Sequence, residues 1–464
     1  MTDIETFMEM NDSTRSKITV VGDYLLDEYF HVLADRVSPE FPIPVMLSSN
    51  NAPNIAVPGG AGNVCRQMEQ FNVDVEFYSL IDTHGFDVLN SSSISSKSCI
   101  LMEGKNPVKK RIYQDNFPLC RWDIESNNFG LSNESLTNFQ RELHEKFCKE
   151  ASGVVIFSDY GKGLFNSDLN WMCNEDLLTI VDPKNGPIEK WKGCSIFKPN
   201  EKEAYELSGL KDWKKQCDYF MFVLGCPAVV ITQGKKGVVG KTLNGHFQYT
   251  PDFHVPCESV IGAGDCFAAF LAMTQTHCID IVKSVELAWK AGSIYVQKKH
   301  NKPVLPYELL AIDDPIKAKF VSPYDLKDRA FKLVMTNGVY DFCHFAHIST
   351  FEFAKSKGDK LVVLVNSDES VKRLKGNTRP IIPLEQRIKM IAALDVVDYV
   401  IPFYEDTPND IIKIIQPDVL VKGMDWQGKM EKPENVNELC FAPLVDGIST
   451  TKIIDKIIKS YKKL

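Results

Sequence analysis

Two histidines, His344 and His347, lie three residues apart where a short apolar strand gives way to a helical pattern. The strand is predicted at Lys332–Met335, and the turn Thr336-Asn337-Gly338 follows it. A strand-to-helix turn of this kind directs backbone N–H groups and the positive end of a helix dipole toward one point, where an anion is favoured. Imidazole groups at the same point suit the phosphates of a nucleotide, so we predict a phosphate-binding turn here.

A second set of residues, in Ile261-Gly262-Ala263-Gly264-Asp265, suits phosphoryl transfer. Small residues let successive N–H groups approach phosphate oxygens, and Asp265 can accept the proton of an attacking hydroxyl. The run Val57-Pro58-Gly59-Gly60-Ala61-Gly62-Asn63 allows close approach of a ligand to the backbone, with Asn63 available to a hydroxyl; a structural turn explains this run about equally well. In Lys198-Pro199-Asn200-Glu201-Lys202-Glu203, the amide of Asn200 and the carboxylate of Glu203 could organise Mg²⁺ through water.

Composition narrows the class of protein. A chain of 464 residues that is 44% hydrophobic and 25% charged is typical of two or three globular domains. The net charge of −8 argues against nucleic acid as a partner, and we interpret the short basic run Lys109-Lys110-Arg111 as a solvated surface patch. The 13 cysteines form no CxxC pair, and no long apolar segment is present. We therefore expect reduced thiols, no membrane partner and a cytoplasmic location.

Apolar β-branched runs alternate with helical patterns twice along the chain, which predicts two α/β domains with parallel sheets covered on both faces. We expect a flexible N-terminus over 1–15, a first domain over 16–312, a linker over 313–329 and a second domain over 330–464. The predicted strands are Ile18–Val21, Val154–Phe157, Leu178–Val181, Ala228–Ile231, Leu361–Val365, Tyr399–Ile401 and Val419–Val421, and the predicted helices of the second domain are Glu385–Leu394 and Asp410–Ile415.

The first domain resembles the ribokinase-like carbohydrate kinases over its whole length. The resemblance implies that Asp265 is the catalytic base and that Gly262, Ala263 and Gly264 form an anion hole. It also implies ATP near Thr232, Gly234 and Gly237, with Asn200 and Glu203 serving the Mg²⁺-phosphate region. A monovalent cation and a homodimer formed through the kinase domain are further implications of this family.

A finer resemblance is to the kinase half of the bifunctional heptose enzymes of lipopolysaccharide precursor synthesis. It is carried by Gly22-Asp23 with Leu26-Asp27, Asp35–Glu40, Ser158–Gly163 and Val181–Lys184. The resemblance implies a pocket for a phosphorylated sugar. Asp23, Gly59, Gly60 and Asn63 would contact the sugar, and Lys162 or Lys184 would meet its phosphate, although a solvated surface charge is about as probable for each lysine.

The second domain resembles the adenylyltransferase half of the same enzymes, a Rossmann-like fold of the cytidylyltransferase-like class, with His344 and His347 as the two histidines of its HxGH signature. The resemblance is also carried by Asn366–Gly376, Arg379-Pro380, Phe403–Pro408, Pro417–Gly423 and the run that contains Ser449, Thr450 and Thr451. That run can cap a helix and offer its N-terminus to a nucleotide. Lys372, Lys375 and Arg379 are candidate phosphate contacts, and a solvated basic face is an equally good interpretation of them.

The resemblance implies a bifunctional enzyme of ADP-heptose synthesis. One half would phosphorylate C1 of heptose 7-phosphate with ATP, and the other would transfer an adenylyl group to heptose 1-phosphate, with small molecules as the partners. The chain departs from the family at Ser259, Ile261 and His300-Asn301 in the first domain and at Ala346 and Met424–Trp426 in the second. Two alternatives therefore stay open: the same architecture acting on another sugar phosphate or nucleoside triphosphate, and a nucleotide-binding regulator with a decayed kinase site.

Overall fold

The computed structural model forms two compact units, Met1–Pro306 and Tyr307–Leu464. It describes residues 3–13, 15–48, 54–92, 94–114, 117–165, 171, 176–184, 186–251, 255, 257, 259–298, 301–314, 316–327, 329, 331–444, 453 and 460. No helix within these ranges is long and apolar enough to cross a membrane.

The first unit contains two main sheets and eight helices in its described part. Its strands are β1 (Ser16–Gly22), β2 (Tyr24–Val37), β3 (Pro44–Ser48), β4 (Ile55–Gly60), β5 (Val73–Tyr78), β6 (Leu80–Ile81), β7 (Ile100–Leu101), β8 (Val108–Gln114), β9 (Phe117–Ile124), β10 (Val154–Ser158), β11 (Leu178–Asp182), β12 (Ile196–Phe197), β13 (Ala228–Thr232), β14 (Val238–Thr242) and β15 (Gly245–Tyr249). Its helices are α1 (Asp3–Ser13), α2 (Ala61–Met68), α3 (Thr83–Asn90), α4 (Asn133–Glu150), α5 (Glu201–Ser208), α6 (Trp213–Leu224), α7 (Ala263–Thr276) and α8 (Ile281–Tyr295).

The large sheet runs in the order β15-β14-β13-β12-β11-β10-β1-β5, and only β14 and β15 are antiparallel to their neighbours. The central strands are apolar on both faces, as Val154–Ser158 shows with every residue buried, because helices cover both sides. The register aligns the carboxyl ends Gly22, Ser158 and Asp182 at one edge. Ligands of open α/β sheets bind outside this edge.

A second sheet, in the order β3-β2-β8-β9 with β4 paired to β2, grows directly from β1 through Asp23. It was not predicted. On β8, Lys109 lies opposite Asp27 of β2 and Asp123 of β9 in the strand register. Arg111 forms a buried ion pair with Asp27 at 2.6 Å, and Lys110, on the other face, pairs with Glu28 at 3.3 Å. The interpretation of Lys109–Arg111 as a solvated patch was therefore wrong, because successive residues of a strand point to opposite faces and here both faces make contacts.

The N-terminus was also predicted wrongly. Residues Asp3–Ser13 form helix α1, and Ile4 and Phe7 are fully buried. The Phe7 ring packs against Phe71 and Phe270. Apolar residues three or four positions apart give this short helix one buried face, which offsets the cost of ordering it.

The second unit is a five-stranded sheet in the order β18-β17-β16-β19-β20, parallel throughout. Alternate residues of β16 enter different cores: Val334 packs on one face, and Leu333 and Met335 pack on the other. Its strands are β16 (Leu333–Gly338), β17 (Lys360–Asn366), β18 (Tyr399–Phe403), β19 (Val419–Gly423) and β20 (Glu438–Ala442), and its helices are α9 (Pro306–Asp313), α10 (Phe345–Lys355), α11 (Asp368–Lys375), α12 (Leu384–Ala392) and α13 (Asn409–Ile415).

The predicted fold class, two α/β units with parallel sheets, is confirmed, and every predicted strand coincides with an observed one.

The segment predicted as a linker, 313–329, differs from expectation. Val321 and Leu326 are buried in the core of the second unit, and Phe320 forms a β-bridge with Val400. Pro323 and several of the charges that suggested a linker lie in short 3₁₀ turns at Lys317–Lys319 and Pro323–Leu326.

Candidate active sites

Asp265 is the third residue of helix α7, and Gly262 caps that helix with a φ of 78°. The carboxylate is buried. Asn63 Nδ2 donates to Asp265 Oδ2 at 2.8 Å, and the Tyr160 hydroxyl donates to Oδ1. Burial raises the pKa of Asp265 to about 6, against the lowering effect of the hydrogen bonds from Asn63 and Tyr160. The group is therefore ionised at neutral pH and gains protons readily just below it, which suits a general base.

A cavity of about 620 Å³ opens at the carboxyl edge of the large sheet beside Asp265. The helix start, the strand-end loops and α8 line it together. The structure brings the following predicted residues to this one cavity: Gly262, Ala263, Gly264, Asp265, Lys184, Asn200, Glu203, Thr232, Gly234 and Gly237. Trp289 closes one side, with its Nε1 donating to Gly234 O at 3.0 Å. Sequence spacing had not identified Trp289, because it lies on a helix far along the chain.

The amide and carboxylate predicted to organise Mg²⁺ are engaged with each other. Asn200 Oδ1 accepts from Glu203 N at 2.9 Å, and Glu203 Oε2 accepts from Asn200 N at 3.0 Å, which forms a capping box at the start of α5. Glu203 Oε1 binds Lys184 Nζ at 2.8 Å. Beside them, the Asp182 carboxylate pairs with the buried Lys198 at 2.9 Å, and burial raises the pKa of Asp182.

These oxygen donors are of the kind that Mg²⁺ prefers, but no group of three or more acidic, histidine or cysteine side chains in the described ranges could hold a metal directly. The residues therefore fit an ion held mainly by nucleotide phosphates and water. Lys184, predicted to meet the sugar phosphate, is instead committed to Glu203.

The structure does not support the predicted contact between Asp23 and the sugar. It is fully buried and accepts backbone N–H bonds from Tyr160 at 2.8 Å, Lys162 at 3.1 Å and Leu164 at 3.1 Å. Burial and the nearby Asp159 raise its pKa. With its oxygens engaged in this way, Asp23 holds the 160–164 loop in place rather than offering itself to a sugar hydroxyl.

The glycine pair ahead of α2 has a steric role. A Cβ on Gly59 would lie 2.6 Å from Asp27 Oδ2, and Gly60 has a φ of 57°, where a Cβ would collide with Leu25. Gly59 thus leaves room for the Asp27 carboxylate, which also accepts from Arg111 and from Asn301 Nδ2 at 2.9 Å. Neither glycine lines the cavity.

The two histidines of the second unit form a stacked pair at the start of α10, with ring centroids 3.9 Å apart and planes 15° from parallel. His344 N donates to His347 Nδ1 at 3.3 Å, which assigns the proton of a neutral His347 to Nε2. Burial, and then the neighbouring His344, lower the pKa of His347 to about 4; burial also lowers the pKa of His344. Both rings are therefore neutral donors at pH 7.

Buried ionic contacts hold this turn. Asp341 Oδ1 accepts from Ile381 N at 2.7 Å, and its other oxygen pairs with Arg379. Arg387 is fully buried and binds three backbone carbonyls and Asp368. Arg379, predicted as a phosphate contact, thus anchors the loop through Asp341.

Lys422 at the end of β19 was not among the predicted site residues. Its ammonium donates to Asn337 Oδ1 and lies 5.1 Å from the centre of the Trp426 ring. Burial lowers the pKa of Lys422 to about 8, and Asp425 opposes that effect. Thr336, Asn337 and Gly338 end the adjacent strand β16, so Lys422 lies at the same edge of the sheet as the histidine turn.

The remaining predicted residues of the second unit lie on helix α11 or outside the described residues. Lys372 and Lys375 are exposed on α11, and the length of that helix places Lys375 roughly 10 Å from its first residue. Ser449, Thr450 and Thr451 lie outside the described residues.

Sequence profiles match both units: pfkB family carbohydrate kinase over residues 45–306 and cytidylyltransferase-like over residues 335–456. The chain is 32% identical to bifunctional protein HldE of Actinobacillus succinogenes, over 95% of this chain and 97% of that protein. It is 31% identical to bifunctional protein HldE of Campylobacter jejuni, over 97% and 99%. The chain belongs to the HldE family. It is therefore an enzyme that joins a carbohydrate kinase to a nucleotidyltransferase, and these families use ATP, typically with Mg²⁺.

Crystal structures show the same fold for the first unit of this HldE-family chain. Phosphofructokinase-2 from Escherichia coli in complex with potassium covers 64% of the chain with a TM-score of 0.51 and 15% identity, with 98% of that protein aligned. The tetrameric inhibited form of the same enzyme gives a TM-score of 0.50 at 15% identity, with 100% aligned.

Proposed function

We propose that the first unit phosphorylates C1 of heptose 7-phosphate with ATP and that the second transfers an adenylyl group from ATP to heptose 1-phosphate. The products would be heptose 1,7-bisphosphate and ADP, then ADP-heptose and pyrophosphate. The observation that carries the proposal is a pair of helix N-termini. Asp265 lies at the start of α7 beside a nucleotide-sized cavity, and His344 and His347 stack at the start of α10. Membership in the HldE family and the motif resemblance support heptose as the sugar.

In the first reaction, the C1 hydroxyl gives its proton to Asp265 as its oxygen attacks the γ-phosphorus of ATP. The N–H groups at the start of α7, around Gly264, face the charge that develops on the phosphoryl oxygens. Asn63 and Tyr160 hold the carboxylate in place, and each carboxylate oxygen can still accept a further hydrogen bond. Mg²⁺, held through water near Asn200, Glu203 and Asp182, would neutralise phosphate charge.

In the second reaction, a phosphate oxygen of heptose 1-phosphate attacks the α-phosphorus, and the bond to the β-phosphate breaks. The nucleophile is already ionised, so no base is needed. Neutral His344 and His347 donate hydrogen bonds to phosphate oxygens, and the helix dipole adds to their effect. The buried ammonium of Lys422 supplies positive charge at the same edge.

The direct test supplies the purified chain with ATP, Mg²⁺ and D-glycero-D-manno-heptose 7-phosphate. We expect a new phosphomonoester at C1 by ³¹P NMR, and its absence would refute the kinase assignment. Heptose 1-phosphate with each of the four nucleoside triphosphates tests the second half through pyrophosphate release. The largest release with ATP is expected; preference for another triphosphate would support the alternative of a different nucleotide.

A homodimer through the kinase unit is also proposed. The second sheet and the connection between β2 and β3 expose large apolar side chains that a monomer would leave in water, among them Phe117 (70% exposed) and Trp122 (60%) on β9 and Phe41 (67%) in the connection. The tetrameric form of phosphofructokinase-2 is a precedent for assembly of this fold. Sedimentation of the wild type as a dimer, and of Phe117→Lys as a monomer, would support it. A bound monovalent cation and a cytoplasmic location stay predictions.

A further inference from the structure

Lys109 is a cation close to the kinase base that has no carboxylate partner in the described part of the chain. Its ammonium lies 5.3 Å from the centre of the Tyr160 ring, and Tyr160 donates to Asp265. Lys109 is half-buried, and it makes no ion pair with any residue that the structure describes. A partly desolvated ammonium in this setting favours an anion as its partner.

The basic residues beside Lys109 on the second sheet are paired with carboxylates. Arg111 binds Asp27 at 2.6 Å, and Arg121 binds both oxygens of Asp123. Each of the other basic neighbours has a carboxylate partner in the same way: Lys110 with Glu28, Lys162 with Glu125, Lys184 with Glu203, Lys190 with Asp159 and Lys198 with Asp182.

The carboxylates that flank Lys109 do not satisfy it. Asp27 uses one oxygen for Arg111 and the other for Asn301 Nδ2, and Asp123 is held by Arg121. Burial lowers the pKa of Lys109, while Asp27 and Asp265 raise it. A dianionic phosphate bound beside Lys109 would compensate its ammonium for the hydration that is lost on burial.

We propose that Lys109 binds the phosphate already present on the acceptor sugar and so makes the kinase select a phosphorylated sugar over a free one. Lys109 reaches Tyr160 from the second sheet and does not line the cavity with Thr232 and Gly234, where the nucleotide is expected. Its position therefore suits the acceptor rather than the γ-phosphate of ATP. This inference deepens the proposed kinase function and rests on it.

The test measures kcat/KM for heptose 7-phosphate and for the same heptose without phosphate, in wild type and in Lys109→Met. The wild type should prefer the phosphorylated sugar, and the variant should lose about tenfold to a hundredfold of that preference, mostly through KM. Lys109→Arg should recover part of it. If Lys109 served the γ-phosphate, both acceptors would slow equally and the preference would not change, which would overturn the proposal.

Lys110→Met is the matched control. Lys110 is the next residue on β8, points to the opposite face and pairs with Glu28 at 3.3 Å, so this variant should keep the wild-type preference. Loss of preference in Lys162→Met with retention in Lys109→Met would assign the phosphate to Lys162 and refute the inference. A thermal unfolding curve of each variant that matches the wild type reports that the first unit is folded. A wild type that phosphorylates neither sugar would refute the proposed function itself, a different result from unchanged preference.

Discussion

Asp265 and His347 occupy the same position in two helices, since each is the third residue after its helix cap, Gly262 in α7 and His344 in α10. Burial shifts both groups toward the uncharged form. It raises the pKa of Asp265 to about 6 and lowers that of His347 to about 4. At pH 7 the outcome is opposite: the carboxylate is charged and the imidazole is neutral.

The charge states of the two sites differ because the two reactions use different nucleophiles. A sugar hydroxyl must lose a proton to attack a phosphorus, so the kinase site keeps a charged acceptor, Asp265, in place. A sugar phosphate is ionised before it binds, so the second reaction needs donors and positive charge, and His344, His347 and Lys422 are the groups that we propose for this. We therefore propose that two helix N-termini that both suit phosphate differ in chemistry through the third residue of each helix and the groups around it.

The largest expected effect comes from Asp265→Asn. The amide keeps the shape but cannot accept the hydroxyl proton, so kcat for sugar phosphorylation should fall by about 10²–10⁴. Nucleotidyl transfer by the same protein should be unchanged, and a thermal unfolding curve like that of the wild type controls for folding of the first unit. ATP binding without turnover in the wild type, insensitive to this substitution, would instead favour a regulator with a decayed kinase site.

His347→Ala should produce the reverse pattern. It removes a donor to the phosphates and the ring that stacks on His344, so nucleotidyl transfer should fall by about 10²–10³ while the kinase rate stays constant. Pyrophosphate release and ADP formation are measured on the same preparation. Equal losses in both reactions would mean that the substitution disturbs folding, and no loss would remove His347 from the site.

The pH dependence should separate the two sites further. Asp265 must be ionised to accept a proton, so kinase kcat should fall as pH drops through about 6. Nucleotidyl transfer uses a neutral His347, which stays neutral until the pH falls to about 4, and a charged Lys422, so its rate should fall as pH rises through about 8.

The substrate phosphate has a second pKa of about 6 as well. The fall of the kinase rate on the acid side of the pH profile, its acid limb, therefore needs a control. Tyr160→Phe removes a hydrogen bond that stabilises ionised Asp265, and the acid limb should therefore move to higher pH. Asn63, Lys198, Tyr295 and Asp27 also act on Asp265 or lie against it and remain unchanged in that variant. An acid limb that stays in place would assign it to the substrate.

The fold class could be predicted from the sequence because buried parallel strands have continuous apolar sequences, such as Val154–Phe157. The second sheet could not, because β2 and β8 carry charges that pair only across strands. A strand over Val108–Gln114 places Lys109 and Arg111 on one face and Lys110 on the other, since side chains alternate with a period of two. Reading the three residues as one charged run hid this alternation.

The site was predicted in part. Glycine and acid spacing identified Asp265 and the helix start, since these are local features. Partners far along the chain were beyond such reasoning: Tyr160 and Trp289 come from distant elements, and the engagement of Asp23 by the 160–164 loop depends on tertiary packing. Lys422 belongs to a motif that the sequence analysis singled out, but the sequence does not show that its ammonium is buried against Trp426.

The smallest expected effect concerns the second residue of each helix, which is Gly264 in α7 and Ala346 in α10. This residue lies beside the N–H groups that face phosphate, and a Cβ built on Gly264 would meet no atom within 4 Å. Ala346→Gly should therefore leave nucleotidyl transfer equal or raise it by about two- to threefold, less than 1 kcal/mol, since it removes a methyl group from the phosphate side of the turn. The reciprocal Gly264→Ala should slow the kinase by a similarly small factor if a bound phosphate approaches as closely there. A clear loss of nucleotidyl transfer in Ala346→Gly would show that the methyl group helps to hold the His344–His347 pair, and that the two helix starts bind phosphate in different ways.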